Sequence, residues 1–183
     1  MNDTEITVYT DGGCKGNPGP GGWAYVMRYG DRYREASGAA SDTTNNRMEL
    51  TAVIEALSFL YMRRQAVLAR QGTDAAPEWT DAPIRVFTDS QYVKKGITEW
   101  LQDWKQRGWK TAARKPVLNR ELWERLDALC AVLEPSFEWV EGHAGNPDNE
   151  RCDELVGLAI RTLLEEGLHS GHEKGSPPGG REP

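Results

Sequence analysis

The sequence predicts an α/β domain: a five-stranded mixed sheet, part antiparallel meander and part parallel strands, with helices on both faces. Three observations point there. Apolar residues alternate in early segments, their spacing switches to threes and fours at Thr44, and strand-like and helical runs alternate from Ile84 onward. Ile6, Val8 and Thr10 alternate with Thr7 and Tyr9, which makes 5–11 a strand. Asp11 to Gly22 holds five glycines before Gly22 and two prolines, the composition of a long irregular loop. Two further strands, Trp23–Arg28 and Arg32–Ser37, joined by a turn at Gly30-Asp31, complete the meander.

Beyond Thr44 the reading is helical. Leu50, Val53, Ile54, Leu57, Leu60 and Tyr61 fall on one helix face, and Thr43 or Thr44 can cap it. The stretch 63–83 reads as a helix extension followed by a Gly-, Asp-, Ala- and Pro-rich loop. Ile84–Thr88 is a short strand reached by a crossover. Helices follow at Gln91–Lys95, Thr98–Lys105 and Asn119–Leu133, the last with Leu122, Trp123, Leu126, Leu129 and Leu133 on one face. Phe137–Val140 is the fifth strand, and a final helix runs from Asn149 to Glu166 with Leu155, Leu158, Ala159 and Leu163 inward. Helical crossovers to a new strand make parallel, right-handed units. One folded domain is thus expected over 1–168. Residues 169–183, with Gly-Pro-rich clusters and no periodicity, read as a disordered tail.

Composition narrows the class. The 183 residues suit one domain, 38% hydrophobic and 27% charged, with no apolar run near the roughly 18 residues of a membrane span. The acidic start Met1-Asn2-Asp3-Thr4-Glu5 is unlike a signal peptide. Cys14, Cys130 and Cys152 have no paired spacing, which predicts reduced thiols and a cytoplasmic protein. A net charge of −6 argues against a generic nucleic-acid binder, but the balance is uneven. Between Lys94 and Lys115 lie seven basic residues and only two acids, Glu99 and Asp103.

Four carboxylates carry the chemistry. Asp11 in Tyr9-Thr10-Asp11-Gly12-Gly13 and Asp89 in Phe87-Thr88-Asp89-Ser90-Gln91 each end a strand. Glu49 in Asn45-Asn46-Arg47-Met48-Glu49-Leu50 and Asp153 in Asn149-Glu150-Arg151-Cys152-Asp153-Glu154-Leu155 each sit in the opening turn of a helix. If the two strands are neighbours, the four acids converge at one end of the sheet. Such a cluster takes up protons unless cations neutralise it. Oxygen-only ligands suit a hard cation such as Mg²⁺, and paired hard cations are a common device for phosphodiester cleavage.

With these motifs in this order the chain resembles the bacterial type of ribonuclease HI. The resemblance spans Ile6 to Leu158. It includes Cys14-Lys15-Gly16-Asn17-Pro18-Gly19-Pro20-Gly21-Gly22, Thr43-Thr44-Asn45-Asn46-Arg47, Gln91-Tyr92-Val93, Lys105-Gln106-Arg107-Gly108-Trp109-Lys110-Thr111 and Glu141-Gly142-His143-Ala144-Gly145. It implies the ribonuclease H-like fold and an endonuclease that cuts RNA in RNA–DNA hybrids, leaving 5′-phosphate and 3′-hydroxyl ends. It also implies two Mg²⁺ ions, with Mn²⁺ as a substitute. In the family's scheme the match to Asp11 bridges both ions, Glu49 and Asp89 serve one, and Asp153 serves the other. Two departures stand out. The 63–83 connection is long, and Gln106 replaces a lysine frequent in relatives, which predicts weaker hybrid affinity.

The same resemblance assigns a substrate-binding set. Asn17, Asn45, Asn46 and Gln91 are amides suited to reading 2′-hydroxyls and base edges in a minor groove, and Cys14 is grouped with them. Thr44 and Asn119 are placed on a DNA-strand phosphate, although both also fit as helix caps. Trp100, Trp104 and Trp109 interleave with Lys105, Arg107 and Lys110, a pattern for stacking flanked by phosphate contacts. His143, in a glycine-flanked loop before the last acidic helix, suits proton transfer or release of product and metal. Two competing functions make different predictions. An inactive hybrid-binding module should lack at least one acid. Exonuclease, integrase or transposase domains on the same fold lack the tryptophan-basic segment. All four acids and that segment are present, and a monomer that avoids membranes is expected.

Overall fold

The computed structural model describes residues 4–71 and 77–172. Strands β1 (Ile6–Cys14), β2 (Gly19–Tyr29) and β3 (Arg32–Thr43) form the antiparallel meander. Helix α1 (Asn45–Gln71) crosses to β4 (Ile84–Thr88), which pairs parallel with β1. Helices α2 (Gln91–Lys95), α3 (Leu101–Gln106) and α4 (Arg120–Leu133) lead to β5 (Ser136–Trp139), parallel to β4. The chain closes with α5 (Pro147–His172). Strand order is β3-β2-β1-β4-β5, the mixed five-stranded sheet expected.

Alternation along the strands supplies two cores. On one face Ile6, Val8, Tyr25, Met27, Ile84 and Val86 pack against α1, α2 and α4 through Leu50, Ile54, Leu57, Val93, Trp123 and Leu126. On the other face Ala24 and Val26 meet Cys152, Leu155, Val156 and Ile160 of α5. Helices therefore cover both faces.

Several boundaries differ from the sequence reading, each for a tertiary reason. The glycine-rich stretch is mostly strand, since the β1–β2 ladder continues through Asp11↔Ala24, Gly12↔Trp23, Gly13↔Gly22 and Cys14↔Gly21. Only the segment between Cys14 and Gly19 turns. The β3 strand likewise runs to Thr43 rather than Ser37. The inward face of α5 is Cys152, Leu155, Val156 and Ile160, while Leu158 is 50% exposed. The two stripes have the same 3–4 spacing, and the sheet chooses between them. A Cβ on Gly13 would lie 3.0 Å from Val156, and one on Gly22 would lie 3.1 Å from Ile160, so the bare strands receive those two side chains. Tyr61 is also mostly outside the core.

The helical run 91–106 is continuous, with a π-helical turn at Gly96–Trp100 where two helices were expected. Trp123 of α4 is pressed against this turn, where a Cβ on Gly96 would lie 1.9 Å from the indole. The α1 helix persists to Gln71, and its long connection contains a 3₁₀ turn at Glu78–Thr80. Arg64 holds that connection by donating to the Ala82 carbonyl at 2.7 Å. At the other end α5 reaches His172, so 169–172 are helical rather than tail. Residues 173–183 of the expected tail, and 72–76 of the expected loop, lie outside the described residues.

Candidate active site

Parallel pairing of β1 with β4 brings two acids side by side. Thr10 is in register with Thr88, so Asp11 and Asp89 follow as neighbours. Asp89 lies just past β4, whereas β1 pairs on with β2 as far as Cys14, so Asp11 sits within its strand and does not end it as the sequence suggests. Both threonines are fully buried, and Thr10 Oγ1 donates to the Phe87 carbonyl at 3.3 Å. One step back, the rings of Tyr9 and Phe87 stack with centroids 4.6 Å apart. Glu49 arrives from α1. Thr44 caps that helix by accepting from the Arg47 amide at 3.4 Å, which settles the choice between Thr43 and Thr44. The first turns of α1 press on β1 at Gly12, where a Cβ would stand 2.2 Å from the Glu49 backbone nitrogen. No other residue fits there.

Ligand oxygens of Asp11, Glu49 and Asp89 lie within 4.8 Å of one another. Burial first, then the charges of Asp89 and Asp153, push the Asp11 carboxyl up to about 7, while the Gly12 amide and His143 act the other way. Glu49 is driven well above the ordinary carboxylate range by its own burial, then by Asp11 and Asp89. Glu49 is 6% exposed, and its Oε2 has no hydrogen-bond partner. A buried carboxylate oxygen with nothing to bind is costly unless a cation completes it.

Asp153 stands apart from this trio. It is exposed, on the second turn of α5 because that helix begins at Pro147 and not Asn149, yet its charge is felt at Asp11. The α5 start is fixed by Asn146, whose Oδ1 accepts from the Asp148 and Asn149 amides at 3.1 and 3.2 Å and whose Nδ2 donates to the Tyr9 hydroxyl. Arg28 binds Asp148 through two contacts of 2.7 and 2.8 Å, and Arg151 grips Glu35 of β3 in the same two-pronged way. His143, exposed and with φ 57°, lies in the loop between β5 and α5.

The expected substrate residues fall into two groups. Asn46, Gln91 and Lys110 are exposed, with no side-chain hydrogen bond or ion pair among the described residues. The others have internal work. Asn17 Oδ1 accepts from the Asn45 amide at 3.3 Å, and the Asn45 side chain reaches Glu49. The Cys14 thiol faces the carbonyls of Gly19 and Thr43. Asn119 is held at both ends, accepting from Arg47 and donating to the Tyr92 hydroxyl, and makes no cap bond to α4. Lys105 pairs with Asp127 at 2.7 Å, and Arg107 with Asp103 at 3.2 Å. Trp100, Trp104 and Trp109 are all half-buried. Trp104 lies 5.7 Å from Trp100 and 5.4 Å from Trp123, ring to ring, and Trp104 and Trp109 each give the core one side while Trp100 packs on Trp104 and Tyr92.

Some site residues have no reading in the sequence analysis. Gly12 and Gly142 exist for close approach, and a Cβ on Gly142 would lie 2.8 Å from Asp89 Oδ2. Ser90 caps α2 through the Val93 amide, which a Ser before a helical run signals. Tyr92 joins Asn119 to Trp123 through its hydroxyl. Trp139 donates to the Asp89 carbonyl at 3.0 Å, and strand alternation gives no hint of that.

Comparison with known proteins gives the family and the fold. The RNase H family model matches residues 3–161. Ribonuclease H of Halorhodospira halophila is 50% identical over 161 residues, covering 87% of this chain and 95% of its own. Ribonuclease HI of Caulobacter vibrioides is 49% identical over 157 residues, covering 86% and 93%. Among solved structures, LC9-RNase H1, a type 1 RNase H with the type 2 active-site motif, superposes with a TM-score of 0.68 at 30% identity, covering 88% of this chain and 74% of that one. LC11-RNase H1 in complex with an RNA/DNA hybrid gives 0.60 at 27% identity, covering 87% and 99%. Two acids brought together by β1 and β4, a third from α1, a fourth on the closing helix and a family match over residues 3–161 place this protein in the ribonuclease H family.

Proposed function

We propose that this chain is an endonuclease that hydrolyses the RNA strand of RNA–DNA hybrids, leaving 5′-phosphate and 3′-hydroxyl ends. One observation carries the reading: three carboxylates with oxygens within 4.8 Å, one of them buried with an unpartnered oxygen. The donor set is all oxygen and fits a hard divalent cation, Mg²⁺ in the cell with Mn²⁺ as a substitute. Asp11, Glu49, Asp89 and Asp153 would hold two such ions. Bound there, they supply positive charge to lower the pKa of a water and to stabilise the departing 3′ oxygen.

The chain's own residues do the rest. In the metal-free site burial and mutual repulsion favour the protonated forms of Asp11 and Glu49, and cations bound there would compete with those protons. Asp11, whose charge is coupled to Asp89, Asp153 and Glu49, would be a ligand in that set. Exposed Asp153 would add the fourth carboxylate, and His143, whose charge like that of Asp153 acts on Asp11, would serve proton transfer or product release. Asn46 and Gln91 present free amides, with Asn17 and Asn45 beside them, to the 2′-hydroxyls of the RNA strand. Trp100, Trp104 and Trp109 offer their open sides to the DNA sugars, while Lys110, Lys105 and Arg107 meet its phosphates. Thr44, Asn119 and Cys14 act indirectly, by fixing the helix starts and the β1–β2 turn that carry this surface.

The protein works as a monomer in the cytoplasm, where its three free thiols stay reduced. No described helix is long and apolar enough to cross a membrane. The test is direct: labelled RNA–DNA hybrid, double-stranded RNA, double-stranded DNA and single-stranded RNA are each incubated with Mg²⁺ or EDTA. Cleavage of hybrid RNA alone, at many sites and only with Mg²⁺, is expected. Efficient cutting of duplex DNA or single-stranded RNA would overturn the reading.

A further inference from the structure

Asp89 lies just past the β4 ladder and just before the cap of α2, so its backbone carbonyl belongs to neither element. A buried or half-buried carbonyl left over at a strand end needs a donor. Here the donor is the indole N–H of Trp139, at 3.0 Å. Trp139 is the last residue of β5 and pairs in register with Thr88. Trp139 is 45% exposed and stands outside both core clusters, so burial does not account for a tryptophan at this position. The same strand end is anchored twice more, by Val140 donating to the Thr88 carbonyl at 3.0 Å and by Lys94 donating to the Phe137 carbonyl. Three residues beyond Trp139, Gly142 lies against the Asp89 carboxylate with no room for a Cβ.

We infer that Trp139 is a positioning residue for Asp89. The indole fixes the Asp89 carbonyl, and with it the backbone torsion that aims the side chain. The strand end that the indole anchors also brings Gly142 onto the carboxylate as a back wall. Both constraints hold one rotamer of Asp89 facing Asp11 and Glu49. The inference rests on the metal-ligand role proposed for Asp89.

The test uses the full chain with Trp139→Phe, and separately with β-(3-benzothienyl)alanine at 139, which keeps the indole shape but has sulfur in place of the N–H. Mn²⁺ binding without substrate is followed by calorimetry, and kcat and KM are measured on hybrid. Both variants should bind Mn²⁺ about tenfold more weakly, with kcat lowered and KM for hybrid little changed, the signature of a lost ligand-orienting bond. Metal-free melting of the benzothienyl form should match the parent, since shape and exposure are preserved. Unchanged Mn²⁺ affinity and kcat in the benzothienyl form would overturn the inference and leave the nuclease reading intact. Absence of Mn²⁺ binding in the parent protein would overturn both.

Discussion

Asp11 has two contradictory environments, one crowded with negative charge and one completed by cations, and its chemistry follows from the difference. In the metal-free fold its carboxyl titrates near 7 against an ordinary 3.8. Between those values the folded chain keeps a proton that the unfolded chain has lost. The stabilising contribution is therefore full at acid pH, declines as pH rises through about 7, and is gone above it. Asp11→Asn is nearly isosteric and carries no charge at any pH. In EDTA at about pH 8 this variant should melt above the parent, and the gap should close on acidification to about pH 4. Parallel melting curves at every pH would contradict the assignment. In Mg²⁺ the same change should cut hybrid cleavage by about a thousandfold or more, since the proposed ligand role of Asp11 would support several kcal/mol of charge stabilisation. Binding of hybrid should persist.

At the scale of elements, the site depends on how closely α1 can lie on β1. Gly12 sets that distance, and its would-be Cβ meets α1 backbone rather than a movable side chain. Gly12→Ala should therefore cost at least about 2 kcal/mol in denaturant unfolding, because overpacking against backbone has no cheap relaxation. A variant with parental stability would mean that α1 can slide. This same glycine marks the limit of what could be read from sequence. Asp11 and Asp89 were legible because an acid directly after an alternating apolar run is a local pattern, even though β1 continues past Asp11, and the 3–4 spacing gave α1 and α4 with their inward faces nearly complete. Gly12, Gly13, Gly21 and Gly22 looked like loop because glycine-rich composition is the usual mark of a turn. Their role in a ladder that two helices press against exists only once the sheet is assembled. The α5 stripe was misjudged for a related reason, since two faces had equal periodicity and only the bare strand pair selects one. Pairing of Lys105 was equally invisible, because Asp127 comes from another helix, whereas Arg107 and Asp103 are four apart in the chain and their pairing is a local pattern.

Across the whole molecule, charge and chain ends set function more than net composition does. Of the basic residues in the segment beside α3, Lys105 and Arg107 already have acidic neighbours, whereas Lys110 is free among the described residues. Lys110→Ala should therefore weaken hybrid binding and lower the slope of log affinity against log salt by about one, while Lys105→Ala changes it less. Anisotropy titrations on the uncleaving Asp11→Asn background would measure both slopes, and equal slopes would show that the Asp127 pair opens on binding. At the chain end, Leu168 is 72% exposed and the α5 core stripe ends at Ile160. Truncation after Leu168 should leave activity intact and shift melting by no more than about 2 °C, and a larger drop would show a docked tail. The α1–β4 connection has a different consequence. It re-enters the sheet where Pro83 accepts from the Ile6 amide at 2.8 Å, and Ile6 pairs with Ile84, at the opposite end of β4 from Asp89. The five residues of β4 put about 17 Å between that entry and the carboxylates. The connection is therefore a natural splice point: an affinity handle or immobilising linker inserted between Gln71 and Glu78 would tether the enzyme to a surface with its cleaving end turned outward.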